Sequence, residues 1–318
     1  MINKKIVFIC PYFGKFPEHF NLWLRSCGKN DDCRWVIYTD DERKFDFPSN
    51  VIVNYCTLND LQKKFSKKLG FEVALKTIKK LGDYKPLFGY LFAEDVVGFK
   101  AWGHVDVSDS IYGRISNFIT DELSDTYDKI MTCGHMSIYK NNEKNNSKFM
   151  IPLKSGIDYK KIFTDDTFYY FEELAPISIT TIYKENDIQI KDMSENYADI
   201  SIKYYNFRME RIKNNFNGYY VSKEENMVFS WEDGILQAHM IKNNEILNRE
   251  YLYIHIKRRK LNVNITQKEE KYIITQDGFF PYENITLDYI KTHDKHKLIY
   301  KTYLDLIIKA IKQRLGMN

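Results

Sequence analysis

The chain has 318 residues, enough to bury a sizeable core as one large domain or two small ones. Its 47 basic and 43 acidic residues leave a formal net charge of only +4, which excludes a nucleic-acid footprint built on bulk charge. The five cysteines, Cys10, Cys27, Cys33, Cys56 and Cys133, are odd in number and lack a C-x-x-C pair; this disfavours a disulfide framework or a zinc ribbon and suits reduced thiols in the cytoplasm.

Ile6 to Cys10 is a continuous apolar run, the pattern of a buried parallel strand, and Pro11-Tyr12-Phe13-Gly14 breaks it. The run is too short for the apolar region of a signal peptide, and no later stretch approaches a membrane span, so a cytoplasmic location is expected. From Pro17 onward, Phe20, Trp23, Leu24 and Cys27 share one helical face, and Gly28 is a stop signal. Trp35 to Tyr38 predicts a second strand and Val51 to Tyr55 a third, followed by a helix over Leu58 to Leu69 that Gly70 ends. Three strand-and-helix units in succession predict an α/β fold with a parallel sheet covered on both faces and ligands outside the carboxyl ends of the strands. No G-x-G-x-x-G follows the first strand, which disfavours a dinucleotide-binding oxidoreductase and leaves a mononucleotide site built from side chains.

Phe71 to Leu81 is expected as a helix, and Lys85-Pro86 as the start of another carrying Phe88, Tyr90, Leu91, Phe92 and Val96. A strand from Ala101 to Val105 then delivers Asp106-Val107-Ser108-Asp109, and a turn centred on Gly113 leads into a helical pattern. After Lys129 to Thr132 come Cys133-Gly134-His135 and a run from Met136 to Tyr139, and Asn141 to Lys148 has the composition of a solvated, mobile loop. Beyond it, short runs at Tyr197–Tyr205, Gly218–Val221, Met227–Trp231, Ile235–Ile241, Tyr251–Ile256 and Tyr272–Thr275 predict an antiparallel β region, and a helix from about His296 to Leu315 closes the chain.

Two carboxylates just past a buried strand suit a divalent cation held against a nucleotide diphosphate, because Mg²⁺ and Mn²⁺ prefer hard oxygen ligands. Asp106 and Asp109 also suit a helix cap. The surrounding run, KPLFGYLFAEDVVGFKAWGHVDVSDSIYG, resembles the centre of a bacterial polysaccharide glycosyltransferase family of GT-A fold, found in capsule and lipooligosaccharide loci. The resemblance lies in Lys-Pro before an aromatic helix, Trp-Gly before the acidic motif and Tyr-Gly after it, with later echoes in CGHMSIYKNN, Phe171-Glu172-Glu173 and YLYIHIKRRK. It implies transfer of a sugar from a nucleotide-diphosphate sugar to a glycan or lipid-linked glycan acceptor, with Mn²⁺ or Mg²⁺ as cofactor. The chain is expected to comprise a nucleotide-sugar-binding α/β part (1–140), an acceptor-side mixed β part of the same catalytic domain (141–290) and a C-terminal basic amphipathic helix (291–318). The family's D-x-D is replaced by a spacing with two intervening residues, Ser108 standing where the second acid would fall.

Transfer needs cations to stabilise the leaving diphosphate, and His255, Lys257, Arg258 and Arg259 follow a strand-like run where they could provide them, His255 also as a metal ligand. The alternatives are a hydrogen-bonded, half-buried histidine and a solvated basic face. A carboxylate must orient or deprotonate the acceptor hydroxyl, and Glu172 or Glu173 is the candidate. Adjacent acids on a strand point to opposite faces, so only one is expected to serve. Asp165 and Asp166 are weaker candidates, and Asp233-Gly234 is expected to be a hairpin turn. Lys85 could reach phosphate or start a helix, Tyr12 and Phe13 are where a base would stack, His135 could line the acceptor side, and Trp102 is expected in the core.

Two other functions compete. One is a phosphatase using Asp106 as nucleophile, for which Ser108 stands in place of the acid-base Asp; the other is a degenerate transferase fold acting as a membrane-surface binding module. Tyr300, Leu304, Ile307, Ile308, Ile311 and Leu315 form an apolar stripe among Lys297, Lys301, Lys309, Lys312 and Arg314, as expected of a helix lying on an anionic membrane at the inner face of the plasma membrane or docking onto protein.

Overall fold

The apolar N-terminal run forms β1 (Ile6–Tyr12), whose residues are buried from Ile6 to Cys10 because both faces of its sheet are covered. The computed structural model describes residues 5–223, 226–266, 269–294, 303–305, 307, 308 and 311. Around β1 lie β2 (Cys33–Thr39), β3 (Val51–Tyr55) and β4 (Ala101–Val105), with the β1–β2, β2–β3 and β1–β4 pairs all parallel. In chain order there follow β5 (Ser110–Tyr112), β6 (Lys129–Cys133), β7 (Met136–Lys140) and β8 (Ile190–Lys191). The large sheet has the order β3-β2-β1-β4-β7-β6-β8, with β7 running against both of its neighbours. Because β1 links outward to β2 on one side and pairs with β4 on the other, the crevice at their carboxyl ends is the switch point where ligands of such sheets bind.

Alternation along β1 sorts the two cores. Phe8 and Cys10 join Trp35 and the apolar face of helix α1 (Phe20–Gly28), while Val7 and Ile9 join Val36 and helix α2 (Leu58–Leu69). α2 starts at Thr57, whose side chain accepts from the Asp60 amide while Asp60 accepts from the Thr57 amide.

The remaining strands are β9 (Ala198–Ile200), β10 (Met209–Ile212), β11 (Tyr219–Val221), β12 (Met227–Glu232), β13 (Ile235–Lys242), β14 (Glu245–Glu250), β15 (Tyr253–His255), β16 (Asn262–Val263), β17 (Lys271–Thr275) and β18 (Gly278–Pro281). They form two sheets, β11-β10-β9-β15-β5 and β14-β13-β12-β17-β18-β16, whose inner faces share one core built on Ile111, Ile200, Ile254, Phe229, Trp231 and Tyr272. Asp233 and Gly234, both with positive φ, make the β12–β13 hairpin turn as expected.

Several expectations are corrected. The link from β2 to β3 carries no helix; Asp41 there is buried and accepts from the Phe16 amide and Arg43. Residues 71–77 are irregular, followed by a 3-10 turn (Ile78–Lys80) and a short helix (Leu81–Tyr84), and the expected helix from Lys85 is broken into a 3-10 turn and two single turns. The segment after Gly113 is a 3-10 turn, Ile115–Asn117, and Ser110–Tyr112 before it is a strand, recruited by pairing with β15. Asn141 to Lys148 is not a solvated loop but is built around a helical turn (Glu143–Asn146), in which Asn145 is buried and donates to the Asp128 and Lys140 carbonyls while Asn146 accepts from Trp102. The run from Tyr197 to Tyr205 is strand only at β9, and β15 joins β9 in parallel. Most of the expected terminal helix, including Tyr300, Leu315 and its basic residues, lies outside the described residues; Leu304, Ile307, Ile308 and Ile311 are exposed. Among the described residues no helix is long and apolar enough to cross a membrane.

Candidate active site

Asp106 follows directly on β4, and the chain then kinks through Ser108, which adopts φ +70 and directs its carbonyl to His19 Nε2 at 2.9 Å. This left-handed residue absorbs the extra position of the acidic motif, so that Asp106 and Asp109 line the same cleft. The cleft has two lobes, of about 710 and 560 Å³, that share Asp106, Asp109, Tyr170, Glu173 and Arg258. Tyr12, Phe13, Lys85 and Glu172 line the first lobe; His135, Asp199, Tyr219, His255 and Lys257 line the second.

Lys85 is ion-paired with Asp106 Oδ1 and donates to the Gly134 carbonyl at 2.9 Å. The other carboxylate oxygen, Oδ2, lies 3.9 Å from His255 Nε2. Burial works to raise the Asp106 carboxyl, but the Lys85 and His255 charges outweigh it and hold it below the usual carboxylate range. Asp109 lacks so close a cation, and burial pushes it up to about 7.

Pairing of β15 with β5 sets His255 opposite Ser110, and the parallel register with β9 sets it opposite Asp199. Asp199 Oδ1 accepts from His255 Nδ1 at 2.8 Å, which fixes the imidazole tautomer and leaves Nε2 free on the Asp106 side. Its Oδ2 lies 3.2 Å from Lys257 Nζ and 3.8 Å from His135 Nε2. Burial would raise Asp199, yet Lys257 and the two imidazoles bring it well below the usual range. His135 stacks on His255 with ring centroids 4.2 Å apart, its Nδ1 is 2.9 Å from the Tyr253 hydroxyl, and burial lowers it to about 3. Lys257, at φ +52, also pairs with Glu210.

Glu172 and Glu173 are not on a strand. Tyr170, at φ +58, turns the chain so that both carboxylates line the first lobe, which corrects the expectation of opposite faces. Glu173 accepts from the Tyr219 hydroxyl at 3.1 Å, and burial raises its carboxyl. Burial pushes Glu172 up to about 8. Both acids lean on glycine: a Cβ at Gly134 would stand 2.5 Å from Glu173 Oε1, and one at Gly82 2.6 Å from Glu172 Oε1.

Three expected site residues lie elsewhere. Arg259 is buried and donates to the Ser201, Tyr204 and Tyr205 carbonyls, fastening a loop. Asp165 bonds Thr167 and Tyr169, and Asp166 pairs with Lys76 at the surface. Trp102 is in the core, and Tyr12 stacks on Phe16 at 4.7 Å. Sequence reasoning missed Asp199, Tyr170, Tyr219 and Glu210. Asp199 did carry a signal, a lone acid inside the apolar run Tyr197-Ala198-Asp199-Ile200, where strand and burial preferences both disfavour it.

The fold and cleft define a mixed α/β protein with a carboxylate-imidazole site at the switch point of its large sheet. More particularly, the chain belongs to the family of unknown function DUF6625, which it matches over residues 8–283. No curated protein matches the chain.

Proposed function

We propose that this protein is a glycosyltransferase of GT-A type, which moves a sugar from a nucleotide-diphosphate sugar to a glycan or lipid-linked glycan with the aid of a divalent cation. The observation that carries the reading is the 3.9 Å gap between Asp106 Oδ2 and His255 Nε2, with His255 held from behind by Asp199. An ion bonded at roughly 2.0–2.2 Å to each atom fits that gap. Asp109 lines the same cleft and would complete the set; mixed oxygen and imidazole donors favour Mn²⁺ over Mg²⁺.

His135, Asp199 and His255 also present ligand atoms within 4.8 Å of one another. That grouping is the poorer fit, because His255 Nδ1 occupies one Asp199 oxygen and the Lys257 ammonium lies beside the other. When bound, the ion supplies positive charge to the leaving diphosphate. Lys85 and the exposed Arg258 add to it from the protein side, Arg258 lining both lobes. The first lobe, with Tyr12 and Phe13 at the end of β1, suits the nucleotide, and the second suits the acceptor. Glu173 lines both and is the better-placed base, since burial raises its carboxyl and so strengthens it as a proton acceptor.

A screen of nucleotide-diphosphate sugars tests the reading, with purified protein in the presence of Mn²⁺, Mg²⁺ or chelator. Metal-dependent release of nucleoside diphosphate from one donor is expected, with a loss of at least about 100-fold in Asp106→Asn and His255→Ala. No turnover of any donor, or full activity in both folded variants, would overturn it.

A further inference from the structure

Of the described residues common to both lobes, only Tyr170 carries an aromatic ring, and only Tyr170 has a left-handed backbone, at φ +58. That conformation is costly for an aromatic residue and persists only where the neighbouring structure imposes it. Here the imposing group is Asp83, wholly buried beside Lys80: its two carboxylate oxygens accept from the Tyr169 and Phe171 amides at 3.1 and 2.9 Å, one on each side of Tyr170. The Tyr170 carbonyl accepts from the Glu173 amide at 2.9 Å, and Lys80 holds the Thr167 carbonyl. These bonds lock a strained turn whose tyrosine side chain is half exposed, so packing of that ring does not account for the strain.

The ring does not stand alone. Phe168 lies against it with centroids 4.3 Å apart and planes tilted by 56°, and Phe168 is itself seated on Gly82, where a Cβ would come within 3.0 Å of its ring. Lys79 Nζ sits 4.9 Å from the Phe168 centroid and 5.4 Å from that of Tyr170. Phe168 and Lys79 line the first lobe, so the aromatic shelf runs from that lobe to the junction, where Asp106, Asp109 and Glu173 line the same space. A shelf of this kind beside carboxylates matches a pyranose, which has a ring face of C–H groups and an edge of hydroxyl donors.

We propose that Tyr170, backed by Phe168, is the platform on which the ring of the transferred sugar stacks, and that it selects donors by the ring face they present. The proposal rests on the glycosyltransferase reading, which puts the diphosphate at Asp106 and His255 and the base at the end of β1; the group next to the diphosphate at the junction is then the sugar. A hydroxyl standing axial on the stacked face lifts the ring off Tyr170, so epimers at one ring carbon bind unequally. Tyr170 determines specificity and takes no proton or bond in the reaction.

Direct observation of the ring needs no turnover. With ¹³C-labelled tyrosine, the ring resonance that is absent from Tyr170→Phe should shift on adding a nucleotide-diphosphate sugar with Mg²⁺ and stay in place with the matching nucleoside diphosphate. Equal shifts with both, or no shift when the sugar nucleotide binds, overturn the proposal. In kinetics, Tyr170→Leu should lower kcat/KM for the best donor about ten-fold and narrow the preference over its epimer, while nucleoside diphosphate affinity holds. Tyr170→Phe, which keeps the ring, should stand closer to wild type than to Tyr170→Leu. Wild-type kcat/KM in Tyr170→Leu, an unchanged epimer preference, or an equal loss of nucleoside diphosphate affinity counts against the platform. Tyr170→Gly, which removes ring and strain together, should melt no lower than wild type; a fall of several degrees would make the ring a structural prop and end the proposal. If no nucleotide sugar binds, the glycosyltransferase reading fails separately, and methyl pyranosides then decide: a shift of the Tyr170 resonance with them keeps the sugar platform, and none removes it.

Discussion

Lys80 and Lys129 are equally buried on the helix-covered side of the large sheet, at 1% and 0% exposure, yet their surroundings are opposite. Lys80 donates to Asp83 at 2.9 Å and to the Ile162 and Thr167 carbonyls at 2.8 and 2.6 Å. Asp83 in turn accepts from the Tyr169 and Phe171 amides. Every donor of that ammonium has an acceptor, and the result is a clamp that holds the loop carrying Tyr170, Glu172 and Glu173. Lys129 has an aromatic ring and two distant acids. Depth of burial is therefore not what assigns a lysine its role; the inventory of partners is.

The comparison breaks most sharply at Lys80. Lys80→Met leaves Asp83 buried without its cation and should cost about 3–5 kcal/mol in urea unfolding. A loss below about 1 kcal/mol would mean that the clamp is ornamental.

Lys129→Met should act with the opposite sign, stabilising the fold by about 1–3 kcal/mol at pH 6–7 because an unsatisfied buried group is removed. The amine stands at about 7 in the fold against 10.5 when free, so the unfolded chain binds the extra proton between these values and wild-type stability rises with pH across that window. The advantage of the variant must therefore shrink from pH 7 toward 10.5. A constant advantage would show that Lys129 does not titrate there.

Glu172→Gln gives the mirror image. The carboxyl stands at about 8 in the fold against 4.5 when free, so wild-type stability from this group falls as pH rises from 4.5 through 8, and the gain of the variant should grow over the same range. Parallel melts of both variants across pH 5–10 separate the two slopes; slopes of the same sign would show that one of the two groups is not shifted by burial in this way.

The smallest effect is expected for Tyr219→Phe. It removes the hydrogen bond to Glu173, worth about 0.5–1.5 kcal/mol, and should raise the Glu173 ionisation by about one pH unit or less, read from the acidic limb of kcat. An unmoved limb would take Tyr219 out of the site.

The sequence reading succeeded where one element was long enough to carry a pattern. β1 was marked by an unbroken apolar run and β2 to β4 by short, mostly apolar ones, and α1 by the spacing of Phe20, Trp23, Leu24 and Cys27. Asp106 was found because it ends such a run. What stayed hidden depended on partners distant in the chain. β5 is only Ser-Ile-Tyr and becomes a strand through β15, and β9 is three residues around an Asp. The orientation of Glu172 and Glu173 turns on a left-handed Tyr170, and that of Asp109 on a left-handed Ser108; neither residue type advertises such a backbone as glycine or asparagine does.

The pairing of β15 with β5 and β9 also sets a timetable. Strands β1 to β4 and the Asp106 loop leave the ribosome early and can pack as a largely parallel layer. His255 reaches Asp106 only after some 150 further residues have been made, a closure of long sequence separation and correspondingly slow. A nascent chain can thus own a folded sheet while lacking the site, and it acquires a complete cleft only when its last third has threaded back between strands already in place.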